Sequence, residues 1–456
     1  MARDTVDEQP IEKLDQLQDW FEQGCKPKSD WRIGTEHEKI PFYTEDNSPV
    51  PYEGPRGIEA LLKGMQQELG WEAITDNGRI IGLAGPEGGA ISIEPGGQFE
   101  LSGAPLEHIH QTCRESNQHL RAVKTVAGEL GIAFLSTGSS PVWTLEETPR
   151  MPKSRYEIMT RYMPKVGTRG LDMMYRTTTI QVNLDFDSET DMRRKLQTSL
   201  KLQPLASALF ANSPFTEGVP NGELSWRSGV WSDVDNQRGG YQPFMLSPGF
   251  GFEDYVNWAL DVPMYFVIRD GKYQDATHVT FRQFMDGALR NEVPQGEPTM
   301  GDWYNHVSTL FPDVRLKRFL EMRGADGGPW RRICALPALW VGLLYDEDAL
   351  GAAEELVSGW TPEMVGQLRD DVPEKGLTAE IGSKTLREVG REVLKLSKGG
   401  LERRNNLNLE GFDERLFLVP LEEVVAAGNT PAESLLWRYH GPWERDISRI
   451  FEEVIF

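Results

Sequence analysis

Ile91-Ser92-Ile93-Glu94-Pro95-Gly96-Gly97-Gln98-Phe99-Glu100-Leu101 is the stretch from which the fold can be read. Glu94 and Gln98 bracket Pro95-Gly96-Gly97, a three-residue loop with glycine where a left-handed residue is usual. A hairpin closed by this loop pairs Glu94 with Gln98 and Ser92 with Glu100. Side chains alternate along a strand, so these four share one face. Ile91, Ile93, Phe99 and Leu101 take the other. One face is built for a core and the other carries two carboxylates.

A second stretch repeats the pattern. In Ile33-Gly34-Thr35-Glu36-His37-Glu38-Lys39, strand parity puts Glu36 and Glu38 on one face and His37 and Lys39 on the other. Taken singly, each stretch has a bland explanation: a solvated edge strand for one, an ordinary amphipathic hairpin for the other. Together they point elsewhere. Four carboxylates on one side of a sheet repel and raise one another's pKa values unless cations sit between them. Hard divalent ions such as Mg²⁺ take oxygen ligands of this kind. Two paired-glutamate segments therefore point to Mg²⁺, and Mg²⁺ to phosphate.

Two further stretches extend the surface. Thr177 to Phe186 alternates as a strand, with Ile180, Val182, Leu184 and Phe186 on the core face and Thr179, Gln181, Asn183 and Asp185 on the polar one. Within Asp313 to Arg323, Arg315, Lys317, Glu321 and Arg323 share strand parity. A glutamate among cations is commonly a structural ion pair. Beside a nucleotide, Glu321 would instead hold a metal and Arg323 would stabilise a transferring phosphoryl group. Arg331 and Arg332 follow Gly-Gly-Pro-Trp and are candidate phosphate contacts. Arg155, Arg161, Lys165 and Arg227 are candidate partners for a carboxylate substrate, although singly each reads as a surface cation.

Helical periodicity covers Glu8 to Gly24, Pro55 to Gly70, Pro105 to Gly131, and a helix from about Glu189 to Asn212. From Ala335 onward the pattern is mainly helical. Strands and helices mix without a βαβ period, so the expected class is α+β with an antiparallel sheet. The simplest partition is one catalytic domain over 1–456, with a mainly helical part from about 335. The 456 residues, 39 % hydrophobic, suffice for a large core.

Composition excludes several classes. A formal net charge of −22 argues against a nucleic-acid binder. The first twenty residues are polar and acidic, unlike a secretory signal. The apolar run Ile333 to Tyr345 contains Pro337 and is too short for a membrane span. The seven histidines show no H-E-x-x-H spacing, and no P-loop or nucleophile elbow is present. Three cysteines cannot form a secreted disulfide framework. Cys113 and Cys334 read as small buried residues. These features point to a reducing, cytoplasmic compartment.

The motifs above, with Arg161-Tyr162-Met163-Pro164-Lys165-Val166-Gly167, Ala211-Asn212-Ser213-Pro214-Phe215 and Glu321-Met322-Arg323-Gly324-Ala325-Asp326-Gly327-Gly328, occur in one order from about Leu14 to the C-terminus. In this the chain resembles the plant-type glutamate–cysteine ligases, also found in proteobacteria. The resemblance implies ATP-dependent formation of γ-glutamylcysteine, the first step of glutathione synthesis. It also implies a curved antiparallel sheet forming a funnel, surrounded by helices and related to glutamine synthetase and guanidino kinases.

Residue by residue, the resemblance puts Glu36, Glu38, Glu94, Glu100 and Glu321 at Mg²⁺-ligand positions. Arg155, Arg227 and Tyr265 become candidates for holding glutamate. Arg323, Lys39 and Arg332 would face the ATP phosphates, with Gln181 on the strand floor beside them. Expected partners are glutamate, cysteine and ATP, with a homodimer as a candidate assembly and neither nucleic acid nor membrane.

Two departures stand out. Plant members carry a plastid transit segment, whereas this chain starts almost at its first helix. They also use a cysteine pair after the strand containing Tyr265, where this chain has Ala276. Cys113 and Cys334 fall where some plant members have a second redox-linked pair, but the expected reducing compartment argues against a disulfide. Competing readings are a γ-glutamyl ligase for another amine, a guanidino-kinase-like phosphotransferase, and a non-catalytic redox or metal-binding homologue. The last would have lost the phosphate cations, which are present here.

Overall fold

The computed structural model describes residues 6–456. Nine strands form one sheet. In chain order they are β1 (Ile33–Tyr43), β2 (Glu72–Asp76), β3 (Arg79–Ala84), β4 (Ala90–Ile93), β5 (Phe99–Ser102), β6 (Ile132–Leu135), β7 (Thr179–Leu184), β8 (Val314–Leu316) and β9 (Leu320–Asp326). Their spatial order is β8-β9-β7-β1-β5-β4-β3-β2, with β6 pairing the far half of β1. Every adjacent pair is antiparallel. The long β1 is the spine, because its eleven residues pair with β7 and β5 at one end and β6 at the other. Helices surround the sheet, and it does not close into a barrel. The α+β, helix-covered antiparallel sheet expected from sequence is the fold observed.

The β4–β5 hairpin has the predicted register: Ser92 faces Glu100, and the Glu94 N–H donates to the Gln98 carbonyl at 2.9 Å. Gly97 sits at φ 87°, where a side chain would be strained. Ile91, Ile93, Phe99 and Leu101 are all buried in a core shared with Ile58, Leu61 and Leu62. Behind β1, β7 and β9, a larger core takes Ile180, Val182, Leu184 and Met322 together with the long helices.

Among the helices are α1 (Ile109–Glu129), α2 (Ser154–Tyr162), α3 (Glu189–Phe210), α4 (Trp226–Val230) and α5 (Trp330–Leu344). The apolar Ile333–Tyr345 run belongs to α5 and its end, and is buried throughout. Among the described residues no helix is long and apolar enough to cross a membrane.

Two expectations change here. The N-terminal helix spans only Asp15–Glu22, because Pro10 bridges to Thr299 and the Ile11 N–H donates to the Pro298 carbonyl, holding that segment extended. Cys113 on α1 and Cys334 on α5 are not free thiols but a disulfide. They lie 221 residues apart in sequence, yet the packing of α1 on α5 brings their Cα atoms to 5.7 Å.

The helix Met300–Ser308, whose end reaches the candidate site, is anchored by His306. This ring is 3 % exposed, lies against Phe281, and its Nε2 bonds the Ala259 carbonyl at 2.7 Å. Burial lowers its pKa to about 3. In the unfolded chain the ring protonates near the usual ~6.5. Between these values the unfolded state binds the extra proton, so stability falls as pH drops below ~6.5, by up to about 1.4 kcal/mol per pH unit from this group. Urea unfolding at pH 7 and pH 5 should show this loss, and a His306→Gln variant should lose less over the same interval. An equal loss in both proteins would remove His306 as a source of the acid sensitivity.

Candidate active site

The pairing of β1 with β5 sets Glu38 directly opposite Glu100, and its pairing with β7 sets Glu36 opposite Gln181. Glu94 stands at the start of the β4–β5 turn. All four glutamates border a single cavity of about 950 Å³, counting the volume open at its mouth. Thr179 and Gln181 of β7 form its floor, and Arg155 of α2, Arg227 of α4, Arg315 of β8 and Arg323 of β9 supply its cations. Strand parity places the strand-borne side chains correctly because all belong to one pleated face.

The carboxylates carry the cost of their proximity. Burial, then repulsion by Glu94 and Glu100, raises the Glu38 pKa well above the ordinary range, against Arg227 and a Thr179 N–H at 3.0 Å. Burial and the charges of Glu321 and Glu100 raise Glu36, which accepts an Asn183 amide at 2.8 Å. Burial raises Glu94, with Lys153 as the main opposing charge. Glu100 accepts the Ser92 hydroxyl at 2.7 Å and the Ser102 hydroxyl at 2.8 Å.

Glu321 is different. It is fully buried and does not border the cavity. Arg315 grips it through both oxygens at 2.7 and 2.8 Å, Lys317 approaches at 2.6 Å, and Arg323 contacts it as well. Burial alone would raise its pKa, but these three cations outweigh burial and hold it well below the carboxylate range. Its oxygens are thus committed to cations. Arg323 is steadied from the other side by the Gln181 amide oxygen at 2.6 Å. The β9 register shifts between Met322 and Ala325, a bulge of the kind that re-aims a side chain.

Three other sequence candidates stand away from the cavity. Lys39 is fully buried on the opposite face of β1, where its ammonium meets the Phe99 carbonyl at 3.1 Å and His119 at 3.0 Å. Parity places it there, and burial lowers its pKa to about 7. Tyr265 packs beneath the cavity wall under the Arg238 guanidinium, 3.7 Å from the ring centre; its neighbour Phe266 reaches the cavity instead. Arg332 lies on the first turn of α5 and donates to the Leu209 carbonyl at 3.1 Å.

Sequence reasoning missed part of the wall. Tyr156, Met159, Met173, Met174, Trp231 and Phe266 form an apolar, sulfur- and aromatic-rich side. Lys153 lies buried behind it, 3.3 Å from the Tyr156 hydroxyl. These residues come from helices, a loop and a short strand distant in sequence. A lone Lys153 before a helix, or a methionine within one, carries no periodic signal.

The donor set suits a hard divalent cation: four oxygen-bearing carboxylates, three with raised pKa values, at one cavity. Glu36, Glu38, Glu94 and Glu100 fit this role, and Glu321, saturated by cations, does not. Among the described residues no group of three His, Cys, Asp or Glu side chains already stands at a common metal position.

Comparison with known proteins places this geometry. The family model for glutamate-cysteine ligase family 2 (GCS2) matches residues 32–453. The chloroplastic glutamate–cysteine ligase of Nicotiana tabacum is 54 % identical over 448 residues, covering 98 % of this chain and 84 % of that protein. The chloroplastic ligase of Arabidopsis thaliana is 55 % identical over 433 residues, covering 95 % and 81 %. Among solved structures, glutamate–cysteine ligase from Francisella tularensis, in complex with AMP, aligns with a TM-score of 0.54 at 14 % identity, covering 93 % of this chain and 88 % of that one. That likeness supports the fold.

These relatives overturn the cytoplasmic expectation. The plant enzymes that the chain matches are named chloroplastic, not cytoplasmic. The expectation of a reducing cytoplasm rests on few cysteines and a polar start, neither of which distinguishes one organelle from another. The chain belongs to glutamate–cysteine ligase family 2: it is a ligase, and its reaction is the joining of glutamate to cysteine in glutathione synthesis.

Proposed function

We propose that the cavity ligates the γ-carboxylate of L-glutamate to the amine of L-cysteine through a γ-glutamyl phosphate, with ATP as phosphoryl donor and Mg²⁺ as cofactor. One observation carries this reading: four glutamates, three of them held above the ordinary carboxylate range, face a wall of cations across one cavity. A carboxylate does not react directly with an amine, because oxide is a poor leaving group. Phosphorylation solves this. A glutamate γ-carboxylate oxygen attacks the terminal phosphorus of ATP, and ADP departs. The cysteine nitrogen then attacks the acyl carbon, phosphate leaves, and the amine loses its proton.

Glu36, Glu38, Glu94 and Glu100 would hold Mg²⁺, which when bound neutralises phosphate charge. Arg323, held between Glu321 and Gln181, would meet the transferring phosphoryl group from a position needing no reorganisation. Glu321 serves by fixing the cations. Arg227 is 3 % exposed, and its guanidinium donates to the Arg323 carbonyl at 2.8 Å. Arg227 borders the cavity, and its planar fork suits a glutamate carboxylate, with Arg155 as a second partner. Lys39, Tyr265 and Arg332 have no contact role in this scheme. The methionines and aromatic rings opposite suit a small thiol side chain.

ADP release with glutamate alone, cysteine alone and both tests the reaction. Full turnover should require both amino acids. Equal turnover when another amine replaces cysteine would select a ligase of different acceptor. Glu100→Ala should lower turnover at least ~100-fold, the scale for losing transition-state electrostatics. Near-normal turnover of the folded variant at saturating Mg²⁺ would remove Glu100 as a ligand. Arg227→Ala should chiefly raise KM for glutamate, and an unchanged KM would take it out of the substrate site.

A further inference from the structure

Asp326 is a buried charge with no part in the ligation scheme. It ends β9, is fully buried and does not border the cavity. Both its oxygens are engaged. Oδ2 accepts the Asn212 backbone N–H at 2.8 Å and the Ser213 hydroxyl at 2.7 Å, and Oδ1 accepts the Ser225 hydroxyl at 2.8 Å.

Each serine passes the constraint on. Ser213 Oγ accepts the backbone N–H of Arg227 at 3.1 Å. Ser225 Oγ accepts the Ser228 N–H at 3.2 Å and so caps α4, the short helix that carries Arg227. Two independent routes thus lead from one carboxylate to one arginine. A third is electrostatic: burial disfavours the charged Arg227, and Asp326 is the foremost charge opposing that effect. The seat is close-fitting, since a Cβ on Gly138 would come within 2.6 Å of the Asp326 carboxyl.

A buried aspartate that merely ties β9 to two loops is the plain alternative. It would stabilise the region without favouring any one substrate. Asp326 instead converges on Arg227 through backbone, cap and charge.

We propose that Asp326 is a positioning residue for glutamate binding, holding Arg227 through Ser213 and Ser225. The proposal rests on the substrate role assigned to Arg227. Asp326→Asn in the full chain keeps the shape and removes the charge. It should raise KM for glutamate about tenfold or more, the scale of a charge-assisted hydrogen bond. kcat and the KM values for cysteine and ATP should stay within about threefold, since the loss is of uniform glutamate binding. Calorimetric titration with glutamate should show the same weakening. Added to Arg227→Ala, the substitution should change KM for glutamate no further, because coupled residues are not additive.

An unchanged KM for glutamate, a parallel loss in every kinetic constant, or additivity with Arg227→Ala would overturn the role. If Asp326→Asn does not fold, Ser213→Ala and Ser225→Ala carry the same expectations and the same contrary outcomes. A wild-type protein that releases no ADP with both amino acids would overturn the ligase reading, and this role with it. An active wild type with an indifferent Asp326→Asn would overturn this role alone.

Discussion

Like-charge repulsion across a pair of strands is the constraint on which the site depends. Glu38 and Glu100 face each other directly on β1 and β5, a pairing that by itself destabilises a sheet. The structure tolerates it because the other side of the same strands is buried. Phe99 and Leu101 pack into a continuous core, and the β4–β5 turn locks their register. A slip of one residue would drive the carboxylates into that core. The hydrophobic face thus fixes where the charges must be, and the hydroxyls of Ser92 and Ser102 with the Thr179 N–H moderate the cost.

The far strands answer that charge. β8 and β9 bring Arg315, Lys317 and Arg323 together, and Glu321 sits among them as their counter-ion. Three cations on a short hairpin would repel one another without it. The cavity is therefore divided. Its carboxylates come from β1, β5 and the turn between β4 and β5, and its guanidinium groups from β8, β9 and helices beyond. Glu321 belongs structurally to the cationic half, although its residue type groups it with the other glutamates.

The legible part of the site follows one rule. Glu36, Glu38, Glu100, Gln181 and Arg323 are on strands, and period-two alternation sends each to the cavity face. The same rule sends Lys39 to the back, where it is found; the resemblance, not parity, associates it with phosphate. Tyr265 and Arg332 lie away from the cavity for a related reason. One lies just before a short strand and the other on the first turn of a helix, and motif likeness near a site does not give the direction of a side chain. The methionine and aromatic wall is illegible because α2 and its neighbouring loops approach the sheet from remote parts of the chain.

The amino-acid sequence by itself determined the antiparallel α+β class, the hairpin register and the carboxylate face, because hydrophobic alternation and a Pro-Gly-Gly turn act between near neighbours. Its motif order was enough to place the family. Only the tertiary structure decided that Glu321 serves cations, that Asp326 engages the two serines that hold the Arg227 segment, and that Cys113 bonds Cys334 across 221 residues. These depend on which distant segments pack together and on how buried charges balance. Neither is written in any local spacing.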